Sequence, residues 1–487
     1  MSQQIAALEP TLLFKHFDAI TQVPRPSKKE GKAIAYLQET IRALGYAPIV
    51  DEVGNVIVRK PGSPGHEGAP SLLLQSHMDM VCEKNKATKH DFERDPIPTY
   101  LDGDWIRARG TTLGADNGIG VALSLALLEA KDLVHPPLEM LFTIDEETGL
   151  TGANALKKGS LESHRMINLD SEEEGIVYVG CAGGGDTVGR LALAFDEVGQ
   201  DYEARALFVS GLRGGHSGTD IQKGRGNAIK ILGQVLRALQ KALPELRVST
   251  ISGGSKRNAI AREAEADLLI PAGHLKTAQG IVQAVQGEIA RALAPVEPGL
   301  RIELKDAPAT RRAIRADQVR HILDVILALP HGVLRMSSDI EGLVETSTNL
   351  ATLVMDAETQ TLILGTSQRS LIDSVKAEAI AKVQAVLRLG GFEVKSGAGY
   401  PGWKPNMDSK LLAAFREAYT GLFGKAPQAL AIHAGLECGL IGEVFPGMDM
   451  ISVGPTILDP HSPDERLNIP DTRKFWDVLV KLLEMLA

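Results

Sequence analysis

Three acidic side chains in succession, Asp145, Glu146 and Glu147, end the apolar run of the segment LEMLFTIDEETGLTG, which reads as a buried strand. Adjacent carboxylates repel, and burying one costs several kcal/mol unless a positive charge answers it. Other residues able to bind cations or move protons stand at similar places. SLLLQSHMDM ends in His77 and Asp79, two apart and so on one face of a strand. GTTLGADNGIG holds Asp116 in a glycine-bracketed loop, MINLDSEEEG ends in Asp170, and GPTILDPHSPDERL carries His461 in a proline-rich loop.

Singly, each has a structural alternative: a polar strand end for the His77/Asp79 pair, a helix cap for Asp116, a surface loop for His461. Together they sit at the ends of successive core strands, and open α/β sheets bind ligands in the crevice at their carboxyl edge. The oxygen-rich, two-histidine inventory suits a pair of divalent cations such as zinc, manganese or cobalt, which would answer the charge at 145–147. Asp79 could steady the second ring nitrogen of His77 or ligate directly. Because neighbouring side chains diverge, one of Glu146 and Glu147 can hold metal while the other faces water as a general base, which is a hydrolase arrangement.

The elements that must position these residues read as α/β. PTLLFKHFDAITQ and KKEGKAIAYLQETIRALG have helical periodicity and are separated by the breaker VPRPS. NVIVRK, SLLLQSHMDM, LEMLFTIDEE and HRMINLDSE read as strands, with GIGVALSLALLEAK a helix between the second and third. Strands alternating with helices imply a largely parallel, buried sheet. After GCAGGGD the texture changes to a β-α-β-β-α order, which returns in a second set opened by RIELKD. The MDMISVG strand near the end belongs beside the early strands. The expectation is a catalytic domain with a central, mostly parallel sheet flanked by helices (1–186 and 399–487), interrupted by an inserted α+β lid (187–398).

Composition narrows the function. The chain has 487 residues, enough for more than one core, since single cores stop growing at ~250 to 300 residues. A net charge of -9 without a clustered basic surface argues against nucleic acid. No apolar run is long enough to span a membrane, and the start carries charges where a secretory signal needs its apolar centre, so a cytoplasmic chain is expected. Cys82, Cys181 and Cys438 lack CxxC spacing and read as small buried residues. No GxSxG elbow is present, and GCAGGGD precedes strand-like sequence where a dinucleotide fold needs a helix.

The set SHMDMV, GADNGIG, TIDEETGLTG, NLDSEE and DPHSPDE resembles the co-catalytic dinuclear metallopeptidase family that includes carnosinases, glutamate carboxypeptidases and aminoacylases. With LRGGHSGTDI and HAGLECG, the whole length most resembles its bacterial aminoacylhistidine (Xaa-His) dipeptidases. The resemblance implies two divalent cations per subunit, zinc first, with His77 and Asp170 on one, Glu147 and His461 on the other, and Asp116 bridging them ahead of a cis peptide to Asn117. It makes Asp79 the residue that orients His77, and Glu146 the base acting on a bridging water. It makes His216 a lid residue that steadies the oxyanion, in its own or a neighbouring subunit of a homodimer. Asn258 in GSKRNAIAREAEADL is the candidate substrate-side asparagine, and Arg369 in GTSQRS the candidate clamp for the substrate carboxylate, a task suited to a planar guanidinium. Glu437 in HAGLECG is the candidate partner of the substrate's free amine.

The expected activity is hydrolysis of dipeptides, Xaa-His dipeptides such as carnosine among them; the histidine preference follows from the resemblance alone. One rival is deacylation of N-acyl amino acids or a broader dipeptidase. Another is a metal-stabilised binding protein, against which Glu146 beside Glu147 argues, because binding alone needs no spare base.

Overall fold

The computed structural model describes residues 4–338 and 340–487. The chain divides into two compact units. One comprises the chain up to Cys181 with Trp403–Ala431 and Leu436–Ala487, and the other Ala182–Gly402 with Ile432–Gly435.

The first unit is built on an eight-stranded sheet. Its spatial order is Ile49–Val50, Val56–Lys60, Leu138–Thr143, Leu72–His77, Arg165–Asn168, Asp449–Ser452, Ile176–Cys181 and Gln428–Ile432. Leu72–His77 runs parallel to both Leu138–Thr143 and Arg165–Asn168, and Asp449–Ser452 runs parallel to Arg165–Asn168. Val56–Lys60 and Ile176–Cys181 join antiparallel on either side of this parallel centre. Every residue of Leu72–His77 and of Leu138–Thr143 is buried, as befits a parallel sheet covered on both faces. The pairing His77↔Thr143 and Gln75↔Asn168 brings three strands to their carboxyl ends along one edge, where Asp145–Glu147 and Asp170 follow directly.

The helix Ala115–Glu129 is buried on all sides from Asn117 to Leu128, because its alanines, leucines and isoleucine leave no polar stripe. It packs between the sheet and the helix Thr11–Thr21. A small antiparallel sheet ordered Ile457–Leu458, Arg466–Asn468, Trp105–Ala108, Thr99–Asp102 returns the end of the chain to this region. His461 lies in the loop of its Ile457–Asn468 hairpin, with φ 59°.

The second unit holds a nine-stranded sheet whose halves meet at the single pair Gly253↔Leu353. Tyr202–Ser210, Ala228–Ala242, Arg247–Gly253, Ala264–Pro271 and Leu275–Leu293 form the first β-α-β-β-α set. One expectation is corrected here. Arg301–Asp306 does not open the second set; it pairs antiparallel with Tyr202–Ser210 and closes the first. Its Ile302 packs into the same apolar cluster as Val209 and Ala278, so the strand completes the surface that helix Leu275–Leu293 covers. The other half starts with Gly183–Ala192, which pairs with Thr361–Ser370. No helix among the described residues is long and apolar enough to cross a membrane.

Candidate metal centre

Five side chains from distant parts of the first unit meet at the carboxyl edge of its sheet. His77, on the last residue of its strand, is 1 % exposed, and its Nε2 lies 3.0 Å from Asp116 Oδ1 and 3.2 Å from Asp170 Oδ1. His461 Nε2 lies 3.0 Å from Asp116 Oδ2 and 3.1 Å from Glu147 Oε2. Asp116 therefore turns one oxygen to each imidazole. The trios His77/Asp116/Asp170 and Asp116/Glu147/His461 each bring their donor atoms within 4.8 Å of one another. A third trio adds Glu146 to His77 and Glu147.

Asp79 and Asn117 hold three of the ligand candidates, His77, Glu147 and Asp170. Asp79, fully buried, lies 3.3 Å from His77 Nδ1 and accepts from Ser27 Oγ at 2.8 Å. It also accepts the backbone N–H of Glu146 at 3.0 Å and of Glu147 at 3.3 Å, holding the turn that presents both glutamates. Asn117 donates to Leu169 O at 2.8 Å and to the Asp170 carboxylate. The Asp116–Asn117 peptide is cis.

Among the described residues no lysine or arginine pairs with Asp116, Glu146, Glu147 or Asp170. Burial, followed by the carboxylates around it, pushes Glu146 well above the usual range, against the pull of His77. Burial raises Glu147 and Asp170 as well. Asp116 stays low despite its burial, because His461 and His77 both bond to it, and hydrogen bonds to Asp116 and Glu147 raise His461 to about 11.

This donor set fits two divalent cations. Three carboxylates and two imidazoles are the hard and borderline ligands such ions take, with one carboxylate facing both ways. Glu147 Oε1 is buried and has no hydrogen-bond partner, the expected state of an oxygen meant for a cation.

Asp145 stands apart from its neighbours. Its carboxylate accepts from the hydroxyls of Thr148 and Thr151, and its N–H donates to Glu30 Oε1 at 3.0 Å. Asp145 thus lies outside the trios built on Asp116, in a separate buried trio with Glu30 and Asp79, and its carboxylate is hydrogen-bonded by two threonine hydroxyls.

Glu437 is fully buried. One oxygen accepts from Gln75 Nε2 and, at 2.7 Å, from Thr143 Oγ1, while Oε1 has no hydrogen-bond partner. Burial first, and the nearby acids, raise it to about 7.

The remaining candidates belong to the second unit. His216 Nδ1 accepts the N–H of Gly218 at 3.3 Å and of Thr219 at 3.2 Å, which puts the proton of the neutral ring on Nε2. His216 and Asn258 line one cavity of about 930 Å³, together with Arg213 and Arg262. Arg369, 8 % exposed, does not line it; its Nη1 donates to Tyr400 Oη at 3.0 Å, and its buried Nε has no hydrogen-bond partner.

Sequence reasoning missed Arg25 and Glu465. Both are buried and bind the loops that carry the ligand candidates. Arg25 lies in a stretch that reads as a helix breaker and Glu465 in a charged loop, and nothing local distinguishes either from a solvated side chain.

Comparison with known proteins gives a consistent result. The chain is 40% identical to the cytosol non-specific dipeptidase of Escherichia coli over 484 residues, 99% of each chain. It superposes on the crystal structure of aminoacylhistidine dipeptidase from Vibrio alginolyticus with a TM-score of 0.89 and 41% identity, covering 100% of this chain and 99% of that one. Human carnosine dipeptidase 1 shares the fold, with a TM-score of 0.52 at 12% identity and coverage of 100% and 98%. The model of peptidase family M20/M25/M40 matches residues 73–485, so the chain belongs to that family.

Proposed function

We propose that the chain hydrolyses dipeptides, Xaa-His dipeptides among them, as a dinuclear metalloenzyme with zinc as first choice. His77 and Asp170 would hold one cation and Glu147 and His461 the other, with Asp116 available to both. The observation that carries this reading is the pair of imidazoles set 3.0 Å from opposite oxygens of Asp116. The names of the Escherichia coli and Vibrio alginolyticus relatives supply the substrate class. A cytoplasmic homodimer is part of the same proposal.

When bound, the cations lower the pKa of water and polarise a carbonyl. The chain's own residues do the rest. Glu146, adjacent to the ligand candidate Glu147, takes a proton from the attacking water and returns it to the departing amine nitrogen as the amide C–N bond breaks, leaving acid and amine products. Asp79 holds Glu146 at its backbone and His77 at its ring. His216 donates from Nε2 to the oxygen that gains charge, Arg369 takes the substrate carboxylate, Asn258 lies on the substrate side, and Glu437 answers the free amine.

The test is release of free histidine from carnosine and other Xaa-His dipeptides, with and without chelator. Chelator-sensitive release that requires a free substrate amine supports the dipeptidase. Release only from N-acylated substrates makes the chain a deacylase, and no release from any substrate leaves it a binding protein.

A further inference from the structure

Glu465 stands four residues beyond His461 and is 2 % exposed. Its carboxylate accepts four consecutive backbone N–H groups of the loop that leads into Asp116. Oε2 takes Leu113 at 2.7 Å and Gly114 at 2.9 Å, while Oε1 takes Ala115 at 2.7 Å and Asp116 at 3.3 Å. These donors sit at the start of helix Ala115–Glu129, where no intrahelical partner exists for them. A single side chain from the end of the sequence thus satisfies them all and ties the His461 loop to the Asp116 loop.

Arg25 grips the opposite side. It is 1 % exposed, and its Nη1 donates to Met78 O at 3.1 Å and Asp79 O at 2.8 Å, while Nη2 donates to Gly114 O. It therefore fastens the segment just after His77 to the same loop. The glycines of GADNG make room for it. A Cβ added at Gly114, which has φ 68°, would fall 2.5 Å from Nη2, and one at Gly118 would fall 2.7 Å from it.

We propose that Arg25 and Glu465 act as a clamp that sets the Asp116 carboxylate midway between His77 and His461, being positioning residues and not ligands. The inference rests on the dinuclear reading given above. Its physical basis is that Asp116 must face two ways at once, so a small rotation of its backbone favours one imidazole at the expense of the other. Opposed hydrogen bonds on the N–H and C=O sides of residues 113–116 resist that rotation.

Two variants test it. In Glu465→Gln one accepting oxygen becomes an NH2 facing two N–H donors, and in Arg25→Lys one ammonium must replace a fork that spans three carbonyls. Apo-protein of each is titrated with zinc against a competing chelator, loaded with cobalt for its visible spectrum, and unfolded thermally in chelator. The expected result is cooperative unfolding, zinc affinity weaker by about 10- to 100-fold, a shifted cobalt spectrum, and kcat reduced with KM for an Xaa-His dipeptide within about twofold. Wild-type zinc affinity and cobalt spectrum in the folded variants would overturn the clamp. So would failure of both variants to fold, since the pair would then serve stability alone. If wild-type apo-protein takes up fewer than two zinc ions, the dinuclear reading falls first and the clamp with it.

Discussion

His461 Nε2 lies 3.0 Å from Asp116 Oδ2, a contact between residues 345 positions apart in the chain. It exists because the hairpin that carries His461 pairs through Arg466–Asn468 with Trp105–Ala108, a few residues before Asp116. The same small sheet delivers Glu465. One late strand pairing thus places a ligand candidate and its support together, and the consequences can be measured.

Glu146→Gln separates base from ligand. The variant is expected to bind two cations as the wild type does, because both trios built on Asp116 are complete without it, while kcat falls by about 100- to 10,000-fold. Metal analysis alongside turnover checks this; loss of a cation would make Glu146 a ligand.

Asp79→Asn removes the charge that accepts the N–H groups of both Glu146 and Glu147 and faces His77. Metal affinity and kcat are expected to fall together, each by about 10- to 100-fold. Turnover that falls with unaltered metal affinity would confine Asp79 to the base.

Asp145→Ala tests the assignment of the third acid to structure. Removing the acceptor of the Thr148 and Thr151 hydroxyls is expected to lower stability by roughly 2 to 4 kcal/mol while the variant still binds two cations. Denaturant unfolding and metal counting are the readouts, and a lost cation would contradict the assignment.

His433 gives a pH prediction in the second unit. Burial, then Arg369, lowers it to about 3, and its Nε2 lies 2.7 Å from Ser347 Oγ. With the folded value below the unfolded 6.5, the unfolded chain binds the extra proton between them. The stability owed to neutral His433 is complete above pH 6.5 and is lost as pH falls toward 3, at up to about 1.4 kcal/mol per unit. The wild type should therefore lose stability relative to His433→Gln over that window; parallel curves would contradict the shift.

Local pattern revealed what is local. Apolar runs ending at His77, at Thr143 and at Asn168 are strands because each run is buried, and their polar terminators necessarily fall at one edge once the strands are parallel. The texture of MDMISVG matches its place beside Arg165–Asn168. Partner choice is not local, and Arg301–Asp306 shows it: the strand is legible, but its pairing depends on where helix Leu275–Leu293 returns the chain. Arg25 and Glu465 were illegible for a related reason. A buried charge and a solvated one have the same letters, and only the carbonyls and N–H groups gathered around them tell the two apart.

The most direct measurement of the central claim is the metal content of the wild type and of Asp116→Ala after equilibrium dialysis against zinc. Two ions per wild-type chain, with both sites weakened at once in the variant, is the predicted result. Two ions held with undiminished affinity by Asp116→Ala would contradict it.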